Sequence, residues 1–274
     1  MTANADPSGA LLTFLRQHEA SFNEELHLLL TGRKRVECHP ADGPERGHGW
    51  VVTWADATAG EWHLAHPFGT PDAYLPDLPL LPRDPALQLL VPVSAAAAAC
   101  SAHGLSIAEN LIWFRDTGRD ASPETACRHA PPLPDLELVQ RWETADGAPA
   151  TSGPGNYMAL YFRESASIVA LVKCIHLTPG TAEVYIETAP HRRGRGLGTA
   201  ILREMLRRLR GQGLTMIYVV SGENTASLAL ARKAGLAPFQ TLSRIPLVPA
   251  RAGSDGVRRS RHEIIDGQSP DGLE

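Results

Sequence analysis

Apolar residues recur along this chain with two periods, and the two alternate. Over 197–210, Leu197, Ile201, Leu202, Met205, Leu206 and Leu209 share one face of a 3.6-residue helix, while Arg203, Arg207, Arg208 and Arg210 lie off it. Gly211 and Gly213 end that helix. Strand-length apolar runs stand before it at 136–142, 157–162, 168–177 and 182–188, and 215–220 reads as a short buried strand after it. Asn224 is a good N-cap for a helix over 225–234, which Gly235 and Pro238 stop. Strands over 239–248 and 259–265 are expected to finish the sheet. Strands and helices in this order predict a mixed α/β (α+β) fold.

The first half carries a weaker pattern. Residues 11–30 read as helix, interrupted near Ser21, and 50–55 with 61–68 as a hairpin across a polar turn. Residues 87–93 are strand-like, Ser94 is placed to cap a helix running to about 103, and 107–115 reads as another strand. Consecutive prolines at 131–132 and Pro134 block helix and central strand alike, so 130–134 reads as a linker. The expected organisation is a domain over 1–130, a second over 135–266, and a polar, disordered tail over 267–274.

The stretch 190–199 carries the strongest chemical signal. Gly194, Gly196 and Gly198 stand between an apolar strand and the Arg-rich helix, where backbone can approach a ligand closely. The first helical turn offers unpaired N–H groups and a partial positive charge. Arg192, Arg193 and Arg195 surround those glycines, and Arg193 and Arg195 can add charge-assisted bonds to a pyrophosphate. Two rival phosphate motifs fail. Position 199 is Thr, so G-x-G-x-x-G is absent, and Gly198 is followed by Thr199 where a Walker loop needs Gly-Lys.

Arg193-x-x-Gly196-x-Gly198 resembles the coenzyme-A loop of the GNAT acyltransferase superfamily. Glu183-Val184-Tyr185-Ile186-Glu187-Thr188-Ala189-Pro190 is similar to the strand leading into that loop. Asn224-Thr225-Ala226-Ser227-Leu228-Ala229-Leu230-Ala231, followed by Lys233-Ala234-Gly235-Leu236, is similar to the second cofactor-contacting helix. The resemblance covers roughly 136–265. It implies a mixed-sheet GNAT fold there, and an acetyl group moved from acetyl-coenzyme A to an amine by direct attack in a ternary complex.

The resemblance also assigns roles. Backbone N–H groups of Arg193, Gly194, Arg195, Gly196, Leu197, Gly198 and Thr199 would bind the pyrophosphate, and Asn224 the pantetheine arm. Thr188 would offer its N–H to the thioester oxygen. Glu187 is the favoured general base, with Glu183 acting through water as the alternative; solvated or ion-paired strand glutamates are the plain reading of both. The tyrosine that many of these enzymes use as general acid is here Ala231, and Ser227 is the nearest replacement. The two helices expected after the first strand are also absent, leaving only the loop 144–156. Helices of 1–130 are therefore expected to supply that wall of the acceptor site. The element order of 1–130 also fits a degenerate GNAT-like copy. Its helix at 94–99, taken as the place of the cofactor loop, carries no glycines or arginines to hold phosphates.

Composition narrows the partners. Net charge is −4, so Arg192 to Arg210 form a local basic patch on an acidic chain, and nucleic acid is not expected as a partner. Four scattered cysteines form no C-x-x-C pair, which reads as reduced thiols. Residues 1–9 lack a secretory leader's pattern, and no apolar run reaches the ~20 residues of a membrane span. A cytoplasmic protein is expected, with no membrane partner; a homodimer stays open. No metal is expected, because His63 and His66, three apart on a strand, point to opposite faces. Two other functions stay open: transfer of a longer acyl group, and a coenzyme-A-binding sensor or scaffold without catalysis.

Overall fold

A computed structural model describes residues 7–31, 34–54, 63–82, 84, 86–118, 136–144, 148–151 and 156–247. The expected linker at 130–134, the strand at 259–265 and the tail at 267–274 lie outside them. The first half contributes helices α1 (Pro7–Gln17) and α2 (Asn23–Thr31), strand β1 (Arg35–His39), a short turn of helix α3 (Gly43–Arg46), and strands β2 (Gly49–Trp54) and β3 (His63–Phe68). Short helical turns follow, α4 (Pro71–Tyr74) and a 3-10 turn over Leu75–Leu80. Strand β4 (Leu87–Pro92), helix α5 (Val93–His103) and strand β5 (Glu109–Arg115) complete it.

The second half begins with β6 (Glu137–Glu143), the two-residue β7 (Pro149–Ala150), β8 (Tyr157–Glu164), β9 (Ser167–Leu177) and β10 (Thr181–Thr188). Helix α6 (Leu197–Gly211), β11 (Thr215–Ser221), helix α7 (Thr225–Ala234) and β12 (Ala237–Pro246) follow. The predicted apolar face of α6 is the buried one: Leu197, Ile201, Leu202, Met205, Leu206 and Leu209 all pack on the sheet. The sequence reading missed β1. Its only apolar side chains are Val36 and Cys38, because an edge strand has one side to bury. Ser94 does not cap α5; Pro92 takes the cap position, without a side-chain bond.

The twelve strands of the described residues form one sheet, in the order β1-β2-β3-β4-β12-β5-β11-β10-β9-β8-β6-β7. Both edges of β12 are taken by first-half strands, β4 and β5. Equally, β5 lies between β11 and β12. Each half thus receives a strand of the other.

Pairing on the two sides of the β12/β5 pair begins alike, although four strands lie on one side and six on the other. One strand out on either side lies a parallel step, β3/β4 and β10/β11, and each step holds only three residue pairs. Helices α5, α6 and α7 cover one face of the sheet. Helices α1 and α2 lie on the other, against β1 and against β9 and β10. Among the described residues no helix is long and apolar enough to cross a membrane.

Asp116, just beyond β5, ties the halves together on the α6 side. Its buried carboxylate accepts two bonds from Arg210, at 2.7 and 2.6 Å. The Arg210 bond holds its carboxyl below the usual range, against the opposing effect of burial. Arg210→Ala leaves that charge buried and should lower stability by about 3 kcal/mol. A depressed folded pKa stabilises above the unfolded value, near 3.9, and the gain is lost as pH falls through the folded one. Urea melts should therefore separate the variant from wild type at neutral pH and converge in acid.

Candidate active site

The parallel step β10/β11 runs from Thr181↔Thr215 to Glu183↔Ile217 and then stops. Beyond Glu183 the two strands part, and β10 continues alone beside β9 as far as Thr188. A V-shaped opening between parallel strands leaves one row of β10 backbone groups without a strand partner. Alternation identifies the row. Ala189 N–H bonds Val169 O on the β9 side, so Thr188 and Ile186 turn their N–H groups toward the V, while Val184 N–H belongs to the last rung with β11. Arg193 Nε, 3.1 Å from the Thr188 carbonyl, approaches from that same side.

At the mouth of the V the chain makes the glycine turn. Gly194 and Gly196 have φ of +76° and +80°, in the left-handed region where a side chain is strained. Gly196 is the N-cap of α6, with no side-chain cap, and Ala200 N–H to Gly196 O is the first intrahelical bond. The N–H groups of Leu197, Gly198 and Thr199 therefore precede the helical ladder and face outward at its positive end. Gly198 serves another need. A Cβ there would sit 2.7 Å from Leu230 Cδ1 and 3.2 Å from Thr188 Oγ1, so only glycine lets α6 start this close to β10 and α7. Arg193 and Arg195 are exposed beside the turn, whereas Arg192 is engaged by Glu164.

Side chains of β10 alternate between two faces. Ala182, Val184 and Ile186 pack under α6, while Glu183, Tyr185 and Glu187 point to the α2 side. Glu183 is buried, and His176 Nδ1 lies 2.9 Å from its carboxylate. Glu187, half-buried and nearer the mouth, accepts the Tyr185 hydroxyl at 2.8 Å. Burial first, and that carboxylate second, push the Tyr185 phenol up. Trp142 of β6 packs against the core beneath α6.

Asn224 caps α7 by accepting Ser227 N–H at 3.0 Å. Ala231 is fully buried in the core, which has no room for a tyrosine at that position. A phenol nevertheless comes from another element, one the sequence reading missed. Tyr218 of β11 reaches the Ser227 hydroxyl; burial raises its pKa, and Ser227's bond acts in the opposite direction. The only sequence signal for it was a tyrosine inside an otherwise aliphatic strand, just before the Asn224 cap.

Cysteine chemistry is remote from this site's needs. Cys174 sits in the core under α6, and burial pushes its thiol up to about 12. His63 and His66 do separate to different partners, Asp84 and Glu25.

Comparison of the sequence with known families finds a match over part of the chain. Residues 122–236 fit the Acetyltransferase (GNAT) family. That stretch is similar to a GNAT acetyltransferase domain. The GNAT likeness in fold extends over most of the chain. It is similar to a GCN5-related N-acetyltransferase-like protein from Streptococcus suis, with TM-score 0.57, 11% identity, and coverage of 85% of this chain and 98% of that one. A Drosophila protein gives TM-score 0.58 and 18% identity, over 89% and 97% of the two chains. The GCN5-related N-acetyltransferase from Kribbella flavida gives 0.50 and 15%, over 76% and 92%. At these identities the likeness concerns the fold. No curated protein matches the sequence.

Three residues of the first half contact the second at the β9–β10 turn and β8. Glu19, between α1 and α2, accepts Gly180 N–H at 2.7 Å and the Thr178 hydroxyl. Asn23 of α2 bonds Thr178 at 3.2 Å and also bonds Thr181. His27 of α2 lies 2.8 Å from the Leu177 carbonyl and 2.8 Å from the Tyr157 hydroxyl. These contacts secure the β9–β10 turn at the closed end of the V.

Proposed function

We propose that this protein transfers an acetyl group from acetyl-coenzyme A to an amine, by direct attack while both are bound. The V between β10 and β11, with an uncapped helix start at its mouth, carries the reading. In it, the N–H groups of Arg193 to Thr199 hold the pyrophosphate, including Gly194, Gly196, Leu197 and Gly198, while Arg193 and Arg195 add charge. The pantetheine arm runs inward along the V-facing groups of Thr188 and Ile186, with Asn224 on the opposite side.

Depth along β10 separates the two carboxylates. Glu183 lies five residues inside Thr188, about 17 Å at the rise of a strand. An extended pantetheine arm has comparable length and brings the thioester toward Glu183. Glu187, tied to Tyr185 near the mouth, is left beside the arm. The amine nitrogen then attacks the thioester carbon, and its proton passes to the Glu183–His176 pair. A V-facing N–H of β10 steadies the oxyanion, from Ile186 at this depth rather than Thr188. The C–S bond breaks, and the sulfur takes a proton from Tyr218, whose hydroxyl Ser227 orients.

Glu183→Gln should lower kcat by about 100-fold, Tyr218→Phe by about tenfold, and Glu187→Gln by less than either. The measurement is thiol release from acetyl-coenzyme A with a panel of primary amines: aliphatic diamines, aminoglycosides, and amino acids and their amides. Glu187→Gln as the most damaging of the three would reverse the assignment. Ala231 in the tyrosine position favours a second reading, a coenzyme-A-binding sensor without turnover. Binding of coenzyme A with no thiol release from any donor or amine would select it.

The first half reads as a degenerate copy of the same fold, and its β3/β4 step as the counterpart of β10/β11. The counterpart of the phosphate turn is then Gly69-Thr70-Pro71, leading into α4, and not the α5 segment at 94–99. One glycine and no arginine leave it unfit for phosphate, and its helices α1 and α2 serve instead as the acceptor-site wall.

A further inference from the structure

We propose that His27, from the first half of the chain, is a positioning residue for the proton-accepting pair of the second half. It packs against His176 and keeps that ring aligned with Glu183. The inference rests on the acyl-transfer reading above and concerns the control of that same site.

The bonds define the state of each ring. A carboxylate oxygen only accepts, so the 2.9 Å contact with Glu183 places the His176 proton on Nδ1 and its basic lone pair on Nε2. Leu177 offers Nδ1 of His27 both its carbonyl at 2.8 Å and its N–H at 3.3 Å; the shorter contact is to an atom that only accepts, which favours the His27 proton on Nδ1. His27 Nε2 then accepts the Tyr157 hydroxyl at 2.8 Å. Both His27 nitrogens are engaged in a site only 2% exposed, where burying a charge is costly. Its ring centroid lies 5.5 Å from that of His176, tilted by 48°.

Two consequences follow from that placement. A neutral ring at this distance adds no repulsion when His176 and Glu183 take up the amine's proton; a charged one would oppose it. Leu177 immediately follows His176, so the His27–Leu177 bond also fixes the backbone that carries the accepting ring. His176 is faced by Glu183 from β10, by His27 from α2 and, beyond His27, by Tyr157 from β8. Lys173, opposite Tyr185 in the register, is next along the same face. Three separate segments therefore converge, and α2 brings a group from the other half.

The experiment compares wild type, His27→Phe and His27→Asn. Phe keeps the ring's bulk without either bond, and Asn keeps a donor for the Leu177 carbonyl. NMR of the histidine rings in the full-length protein, without ligand, is expected to find His27 as the neutral Nδ1–H tautomer near neutral pH. With acetyl-coenzyme A and the best amine of the panel, His27→Phe should lose about 10- to 100-fold in kcat, with the KM for acetyl-coenzyme A unchanged. His27→Asn should recover to within about threefold of wild type. An imidazolium or Nε2–H tautomer at His27, or a folded His27→Phe with wild-type kcat, would overturn the role while leaving acyl transfer intact. Failure of the wild-type protein to bind coenzyme A would overturn the acyl-transfer reading, and this role with it. Should His27→Phe fail to fold, the tautomer in wild type and the kcat of His27→Asn still decide.

Discussion

Deletion of residues 1–130 is expected to leave no soluble, cooperatively folding protein. The fragment keeps the whole stretch that fits the GNAT family from residue 131 onward, yet loses β5 and β4. Both strands that pair with β12 are among the losses, and β11 is left with one open edge. Unpaired strand edges of this length are templates for aggregation. Buried apolar surface goes as well: Phe114 of β5 is packed into the core beneath α6 and α7, and Trp113 into the opposite face. On the α2 side, the fragment loses Glu19, Asn23 and His27 from the β9–β10 turn. Soluble yield and a thermal melt by circular dichroism check this. A soluble fragment with full-length acetylation kinetics would mean that the first half neither completes the sheet in solution nor walls the acceptor site.

Gly198→Val is expected to weaken coenzyme A binding by about 10- to 100-fold and to lower the melting temperature by several degrees. Its Cβ would meet Leu230 Cδ1 at 2.7 Å and Thr188 Oγ1 at 3.2 Å. Leu230 can swing partly aside, but Thr188 belongs to the strand beside the V. The start of α6 must therefore back away from β10, and overpacking of this kind costs about 1–3 kcal/mol. The same displacement moves the N–H groups of Leu197, Gly198 and Thr199 off a bound pyrophosphate. Gly211→Ala is the control, since nothing lies within 4 Å of a Cβ there. Isothermal titration with coenzyme A compares them, and equal affinities for Gly198→Val and wild type would remove the helix start from the binding site.

Much of the second half was legible because its signals are local. Periodicity within 197–210 specified the buried face of α6, and Asn224 with Gly235 bounded α7, since caps and stripes depend on neighbours three and four residues away. The glycine turn was legible for the same reason. Local signals failed elsewhere. Strand β1 alternates weakly because it is an edge. Ser94 met the requirements of a cap, but the chain enters α5 one residue earlier. Tyr218 and His27 carry no distinguishing context in the sequence: one is an aromatic in a buried strand, the other a histidine on an amphipathic helix. The role proposed for each comes from a group on another element, Ser227 for the first and His176 with Tyr157 for the second.

Short-range physics, written into the residues alone, determined the helices, most strands and the glycine turn opening α6. Long-range assembly decided the rest: which strands lie side by side, and hence that β5 and β12 exchange between halves. Hydrogen bonding along a strand edge is nearly indifferent to the partner's sequence, so the same alternating pattern permits several neighbours. The choice falls to the packing of α1, α2 and α5 to α7 on the completed sheet. That choice brings α2 against the closed end of the V, where Glu183, His176 and His27 meet.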